Sequence, residues 1–457
     1  MIDIKAYSHN HGKNMNGLAL ELNSVLDGTC AGRLLSQQGR RFYFPRGIIA
    51  QSAEAKAAAR LVNATIGMAY QDGKPLMLSA IADSMPTLTA EEAVAYAPTA
   101  GVEKVRRVWQ DLILQKNPSL RQDRISLPVV VPGLTAGISY TADLFVEDGS
   151  SVLTSDPCWD NYGLIFQERR NAALIGVPFF GAGPGLDMAA VGRALEGAAE
   201  TGVVRVILNF PNNPSGYSPT QAEAEAITAL ILKTAQKGAD VLVICDDAYF
   251  GHFYEDNIFK ESLFACFASL HDRVLAVKID GPIKEEYVWG LRMGFLTFGS
   301  RGLGSEHYEA LIKKVMGAIR SSVSCANTPA QYFILQALED KRSAAEKEQF
   351  QEILRNRYRM VKKVINEQGN HPALDALPFN SGYFMSFRCR GINAETLRTE
   401  LLTRHGIGTV SLGENYLRVA FSSIDEEKIP EAYHTIYQTA LAMQEKNAVL
   451  PAGHSLR

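Results

Sequence analysis

Short aliphatic and β-branched runs alternate with amphipathic helical stretches between about residues 125 and 300 of this chain. The strand candidates lie at 151–156, 171–180, 203–210, 241–246, 273–280 and 294–299. Several of them are apolar at successive positions, which is typical of strands covered on both faces by helices in a mostly parallel sheet. The alternation predicts an α/β fold whose ligands bind at the carboxyl ends of the strands.

A clearly signalled helix lies between the third and fourth of these strands. Ser218 is placed to cap it, Pro219 fits its first turn, and Gln221 would complete a capping box. Gly238 marks its end. The segment therefore has the helix start and stop signals expected within a β-α-β unit.

The pattern changes after about residue 320. A long charged helix is expected at 340–367, followed by the strand GYFMSF, a helix around 393–404, the strand YLRVAF and a final helix from about 425. This order of elements is typical of a smaller α+β domain.

We therefore expect a large domain with a mostly parallel sheet sandwiched by helices at 66–320. A small C-terminal domain follows at 321–457, and the N-terminal segment 1–65 is assigned to that small domain.

Composition and charge exclude several classes of function. The chain has 46 Lys+Arg against 49 Asp+Glu and no long basic block, so we expect no nucleic-acid partner. No segment approaches about 18 uninterrupted apolar residues, and the polar N-terminus lacks the order of a signal peptide, so we expect a cytoplasmic protein without a membrane span. The cysteines and histidines show no metal-ligand spacing, and we expect no metal.

The segment NFPNNPSGYSP, at 209–219, follows the strand VVRVILNF. Its prolines and glycine would make a rigid turn that presents the amides of Asn212 and Asn213 at the end of the strand. Those amides could bind a ligand. Taken alone, a segment of this kind is more often an ordinary turn.

The next strand ends in two adjacent acids, Asp246 and Asp247, followed by Tyr249. Side chains alternate along a strand, so at most one of the two acids would face a ligand beyond the strand end. A buried acid needs a cationic partner, such as a protonated ring nitrogen or an arginine. The alternative is that both acids are exposed or cap a helix.

The strand after that leads into GPIKEEYVWGLRMGF, which places Lys284 in a Gly-Pro turn and Arg292 further along the chain. A lysine in an apolar pocket or near other cations has a lowered pKa, so its amine can form a Schiff base with a carbonyl compound. An arginine nearby could bind a phosphate by paired hydrogen bonds. Alternatively both are solvated surface charges, an interpretation that the adjacent Glu285 and Glu286 favour.

These three signals occur in a fixed order at successive strand ends: an asparagine, then an aspartate with a tyrosine, then a lysine with an arginine. In that order the chain resembles the fold-type I pyridoxal-phosphate (PLP) enzymes, specifically the class I/II aminotransferases, among them the aspartate and aromatic aminotransferases. The resemblance runs from about residue 64 to about residue 425.

The resemblance implies roles for five residues. Lys284 would hold PLP covalently and, once released, carry a proton to and from the substrate. Asp246 would pair with the protonated pyridine nitrogen, and Tyr249 and Asn213 would hydrogen-bond the ring oxygen. Arg292 would bind the cofactor phosphate.

Segments upstream are similar to further family motifs. In VVVPGLTAGISYTADLF, Gly133, Leu134 and Thr135 would bind the phosphate at a helix N-terminus. In DPCWDNYG, Trp159 would stack on the pyridine ring. In AYAPTAG, Tyr96 would reach the phosphate of the neighbouring subunit, which implies a homodimer with active sites at the interface.

In the smaller domain, ENYLRVAF is similar to the family strand that carries the substrate-binding arginine. Arg418 would hold the α-carboxylate by a two-pronged hydrogen bond, and the backbone of Gly67 would lie beside it. Two positions depart from the family pattern. Gly281 replaces a serine of the phosphate cup, and Arg320 is two positions out of register with the arginine of dicarboxylate-specific relatives, so specificity for aspartate is not implied.

The sequence thus predicts an aminotransferase that exchanges an amino group between an α-amino acid and a 2-oxo acid by a ping-pong, Schiff-base mechanism. A PLP-dependent β-decarboxylase or C–S lyase on the same fold is the alternative. A non-catalytic binding or regulatory protein is a further alternative, which the short, weakly basic N-terminal segment disfavours.

Overall fold

The computed structural model describes residues 15–26, 48–65, 67–84, 87–181, 183 and 185–449. In these ranges the helices are α1 (Gly17–Leu26), α2 (Ile48–Ala58), α3 (Ser79–Ser84), α4 (Ala90–Val94), α5 (Glu103–Lys116), α6 (Leu134–Phe145), α7 (Met188–Ala199), α8 (Gln221–Gln236), α9 (Leu263–Phe267), α10 (Pro282–Glu285), α11 (Ser305–Arg320), α12 (Thr328–Glu339), α13 (Lys341–Gln368), α14 (Ala394–His405) and α15 (Ile429–Val449). The strands are β1 (Val62–Asn63), β2 (Tyr70–Gln71), β3 (Lys74–Pro75), β4 (Val129–Val131), β5 (Ser151–Asp156), β6 (Ala173–Pro178), β7 (Val203–Asn209), β8 (Asp240–Asp246), β9 (Val274–Asp280), β10 (Gly294–Gly299), β11 (Leu374–Ala376), β12 (Met385–Cys389), β13 (Ile407–Gly408), β14 (Val410–Leu412) and β15 (Tyr416–Val419).

The described residues divide into two compact units. The first takes in 15–26, 77–212 and 218–347, and the second takes in 48–76, 213–217 and 348–449. Within the described ranges, no helix combines the length and apolarity needed to cross a membrane.

The first unit is built on a seven-stranded sheet in the order β4-β10-β9-β8-β7-β5-β6. All neighbouring strands pair in parallel except β10, which is antiparallel to both β4 and β9. Helices α6 and α11 pack on one another and on this sheet, and strand residues such as Ile244, Val277 and Leu296 are fully buried in the core. The predicted α/β fold is confirmed, because both sheet faces carry apolar side chains that helices must cover.

The second unit contains an antiparallel sheet in the order β11-β12-β15-β14 and the short parallel pair β1-β13. Helices α14 and α15 pack together, and Leu397, Leu417 and Tyr433 are among the buried residues. The predicted α+β character of this part of the chain is therefore present.

The division into units differs in detail from the predicted boundaries. Residues 321–347 belong to the first unit because α12 packs against α3, α4 and α5. Residues 48–65 group with the second unit, whereas α1 groups with the first. The rest of the predicted N-terminal segment, 1–14 and 27–47, lies outside the described residues.

The cap predicted for α8 is wrong by two residues. Thr220 is the N-cap, and it forms a capping box with Glu223 rather than Ser218 with Gln221. Thr220 forms an isolated β-bridge with Ile258, and the amide of Phe259 donates to the carbonyl of Pro219. The chain before the helix is therefore held extended, and the helix begins later than the sequence pattern indicates.

Candidate active site

In the first unit, most of the sequence-predicted residues lie at the carboxyl ends of strands or in the segments that follow them. Strand β8 ends at Asp246, and Tyr249 follows in the next turn. Strand β9 ends at Asp280, and Gly281 leads into the short helix α10, which carries Lys284. Because β8 and β9 are neighbouring parallel strands, these residues share one edge of the sheet.

The amine of Lys284 lies against an aromatic face, with Nζ 4.7 Å from the centre of the Tyr249 ring. Burial lowers the pKa of this amine to about 8; the charge of Asp246 opposes that change, and the charge of Arg292 reinforces it. A larger fraction of the amine is therefore neutral near pH 7 than for an ordinary lysine, which is what nucleophilic attack on a carbonyl requires.

Asp246 is 3% exposed, and one of its oxygens, Oδ2, accepts a hydrogen bond of 2.6 Å from the hydroxyl of Tyr162. Its other oxygen, Oδ1, is buried and has no hydrogen-bond donor of good geometry among the described residues. Burial raises the pKa of the carboxyl to about 6, although Tyr162 and Lys284 act to lower it. A buried oxygen that accepts no hydrogen bond of good geometry fits a ligand that supplies an N–H group, such as a protonated pyridine ring.

The loop before α6 forms a site suited to an anion. Gly133 has a φ of 92° and leads directly into the helix, so Leu134 and Thr135 form its first turn, where backbone N–H groups lack partners within the helix. A Cβ atom on Gly133 would come within 2.7 Å of Nη2 of Arg292. The helix N-terminus and the guanidinium are thus side by side, and this combination favours a phosphate.

Trp159 lies in the loop after β5 and makes an edge-to-face contact with Tyr162, with 5.5 Å between ring centres. Tyr162 in turn bonds Asp246, so the tryptophan, the tyrosine and the acid form one connected group. Tyr96, also in the first unit, is 91% exposed.

The second unit brings together the other predicted residues. Arg418 on β15 is 2% exposed; it donates from Nη1 to Oδ1 of Asn213 at 3.0 Å and from Nη2 to the carbonyl of Thr65 at 3.1 Å. Its guanidinium also lies 4.3 Å from the centre of the Phe384 ring. Gly67 follows Thr65 by two positions, so it belongs to the same backbone segment. These contacts hold the arginine in one orientation.

Several of the groups around Lys284 were not identified from the sequence. Tyr162, three residues after Trp159, gave no signal beyond its place in the DPCWDNYG segment. Glu285 and Glu286, which favoured a solvated surface, are instead in partly buried ion pairs, Glu285 with Lys116 at 2.5 Å and Glu286 with Lys347 at 2.6 Å. Arg320 ends α11 and is exposed.

Residues 61–436 match the family described as aminotransferase class I and II. The chain belongs to this family. Members of the family are known to use PLP, and the predicted resemblance is confirmed.

Curated relatives of this aminotransferase have the same activity class. It is 23% identical to a probable N-acetyl-LL-diaminopimelate aminotransferase of Bacillus subtilis, over 73% of this chain and 78% of that one. It is 22% identical to an aspartate aminotransferase of Pyrococcus abyssi, over 74% of this chain and 82% of that one. The protein is therefore an enzyme that acts as a transaminase, and the alternative of a decarboxylase or lyase is not favoured.

A solved aminotransferase structure from Anaerococcus prevotii has the same fold as this aminotransferase. It superposes with a TM-score of 0.77 at 23% identity, covering 88% of this chain and 97% of that one. The predicted fold type I architecture is confirmed.

Proposed function

We propose that this aminotransferase moves an amino group between an α-amino acid and a 2-oxo acid with PLP bound covalently to Lys284. The observation that carries the proposal is the pairing, at two neighbouring strand ends, of an amine with a lowered pKa and a buried carboxylate with an oxygen available to a ligand. When bound, PLP supplies an electron sink that stabilises negative charge on the Cα of the substrate.

Each predicted site residue of the first unit has a defined role in this proposal. The neutral amine of Lys284 binds the cofactor and, once released, moves a proton at Cα. Oδ1 of Asp246 accepts the ring N–H and keeps that nitrogen protonated, and Tyr249 hydrogen-bonds the ring oxygen. Trp159 stacks on the ring. Arg292 and the first turn of α6, with Gly133, Leu134 and Thr135, bind the phosphate.

The residues of the second unit serve the substrate. Arg418 binds the α-carboxylate by paired hydrogen bonds, and Gly67 contributes backbone beside it. Asn213, which already bonds Arg418, hydrogen-bonds the ring oxygen of the cofactor. A fixed carboxylate orients the Cα–H bond for cleavage, which is a large part of what such a site does for the rate.

We also propose that the active form is a cytoplasmic homodimer in which Tyr96 contacts the phosphate bound by the neighbouring subunit. Val94 and Tyr96 are 83% and 91% exposed, and large apolar side chains at such exposure favour a surface that another chain covers.

The experiment is a panel of amino acids added to the protein loaded with PLP, under single-turnover conditions. Transamination converts the cofactor to its pyridoxamine form and releases a 2-oxo acid, so the absorbance of bound PLP should fall as the oxo acid appears. Elimination or decarboxylation would leave the cofactor as PLP. A protein that binds PLP but converts it with none of the amino acids would contradict the proposal.

A further inference from the structure

We propose that Tyr162 and Asp247 are positioning residues that set the charge of Asp246 from opposite sides, Tyr162 favouring the carboxylate and Asp247 opposing it. The inference rests on the proposed role of Asp246 as the partner of the cofactor ring nitrogen. A carboxylate that is protonated cannot hold that nitrogen in its protonated form, so its charge decides how well the site binds PLP.

The hydroxyl of Tyr162 is placed to stabilise the ionised acid. It donates to Oδ2 of Asp246 at 2.6 Å, and Tyr162 is only 1% exposed. Burial raises the pKa of this hydroxyl well above its ordinary value, and the charge of Asp246 raises it further. The tyrosine therefore stays neutral and remains a donor wherever Asp246 titrates.

The ring of Tyr162 is fixed by its neighbours. It contacts Trp159 edge to face at 5.5 Å and Phe166 at 6.1 Å between ring centres. A donor that cannot rotate away gives its hydrogen bond without further loss of side-chain freedom. The hydrogen bond from Tyr162 is the second-largest influence on the pKa of Asp246, after burial.

Asp247 acts from the other side of the strand end. It is 5% exposed, and Lys278 of β9 pairs with its carboxylate, which also accepts a hydrogen bond of 2.6 Å from Ser262. Nζ of Lys278 also lies 3.4 Å from Oδ2 of Asp280 and 4.9 Å from the centre of the Phe250 ring. Lys278 is thus shared between two buried acids, and the charge of Asp247 disfavours ionisation of Asp246 beside it.

Lys284 is the remaining charged group among those that act on Asp246, and it lowers the pKa of the acid. Lys284, Tyr162 and the backbone N–H of Ala248 favour the carboxylate, whereas burial and Asp247 favour the protonated acid. The balance leaves the pKa of Asp246 at about 6. A change to Tyr162 should therefore move the titration of Asp246 upwards, and a change to Asp247 should move it downwards.

The test measures the protonation of Asp246 in the cofactor-free protein by infrared difference spectroscopy as a function of pH, with the carboxyl band assigned by its loss in Asp246→Asn. In Tyr162→Phe we expect the midpoint to rise by about 1 pH unit, the size of one hydrogen bond to a charged group. In Asp247→Asn we expect a smaller fall, because Lys278 keeps Asp280 as its partner. In the double variant the midpoint should lie between those of the two single variants.

The opposite directions of the two expected midpoint shifts distinguish this role from a purely structural one. Each substitution alters a buried contact and is expected to lower the melting temperature, whereas the midpoint should move up in one variant and down in the other. Tyr433→Phe is the matched control, because its buried hydroxyl has no hydrogen-bond partner among the described residues, and it should leave the midpoint unchanged.

A second measurement is the dissociation constant for PLP at pH 7. We expect Tyr162→Phe to bind PLP several-fold more weakly and Asp247→Asn to bind it at least as tightly as the unmodified protein. Midpoints that stay in place, or that move in the same direction in both variants, would overturn the inference. Failure of the unmodified protein to bind PLP, with the infrared shifts present, would instead refute the proposed function and leave the charge relation intact.

Discussion

Two lysines at the carboxyl edge of the sheet have pKa values that their surroundings move in opposite directions. For Lys278, burial disfavours the charged form, but the carboxylates of Asp247 and Asp280 more than offset it and raise the pKa of the amine. For Lys284, burial prevails over the attraction of Asp246, and Arg292 adds to it, so its pKa falls to about 8. Lys278 is therefore a structural cation, whereas Lys284 is suited to nucleophilic chemistry.

At Gly133, replacement by alanine should weaken PLP binding by tenfold or more. The φ of 92° disfavours any side chain, and the added Cβ would lie 2.7 Å from Nη2 of Arg292 and displace its guanidinium from the start of α6. Titration of the cofactor-free protein with PLP, followed by absorbance, measures the effect.

Gly149→Ala provides the control for backbone strain. Gly149 also has a positive φ, of 74°, but a Cβ there would meet nothing within 4 Å. Both variants should lose about 1 kcal/mol or more of unfolding free energy through strain, and only Gly133→Ala should lose affinity for PLP. Equal affinities in the two variants would show that the position of Arg292 does not matter to cofactor binding.

At the scale of single residues, the sequence identified charged residues at positions where charged side chains are uncommon. An acid at a strand end and a lysine after a Gly-Pro turn suggested chemistry, and the structure places them at adjacent strand ends. Tyr162 could not be found in this way, because an aromatic residue in a loop is compatible with many partners. Its bond to Asp246 joins residues 84 positions apart and depends on the tertiary fold.

At the scale of elements, strands were predicted better than the junctions between them. The strands at 151–156 and 294–299 have the predicted bounds, and α13 extends over Lys341–Gln368 as its charge and apolar spacing indicated. These elements are set by local patterns of side chains that must be buried. The predicted N-cap of α8 was wrong because a β-bridge to Ile258 holds Thr220 in an extended conformation. A local sequence pattern does not contain this long-range contact.

At the scale of the whole molecule, the proposed homodimer makes each active site depend on two chains. Lys284→Ala and Tyr96→Ala should each have low activity as homodimers. After the two variants are mixed and allowed to exchange subunits, activity should return, because each mixed dimer contains one site with both native residues. Transamination rates before and after mixing test this expectation.

The mixing experiment has its own control in Lys284→Ala mixed with Asp246→Asn. Both of these residues lie in the first unit of the same chain, so a mixed dimer of these two variants has no native site. That mixture should stay inactive. Recovery there, or no recovery with Tyr96→Ala, would contradict the proposed contribution of Tyr96 to the neighbouring site.

The covalent attachment of the cofactor can be located directly. The protein is loaded with PLP, reduced with borohydride, digested and examined by peptide mass spectrometry, alongside the Lys284→Ala variant checked for a native circular-dichroism spectrum. We predict the mass of a pyridoxyl phosphate group on the peptide that contains Lys284, and none in the folded variant. The same group on another lysine such as Lys278, or covalent labelling that survives in Lys284→Ala, would contradict the account.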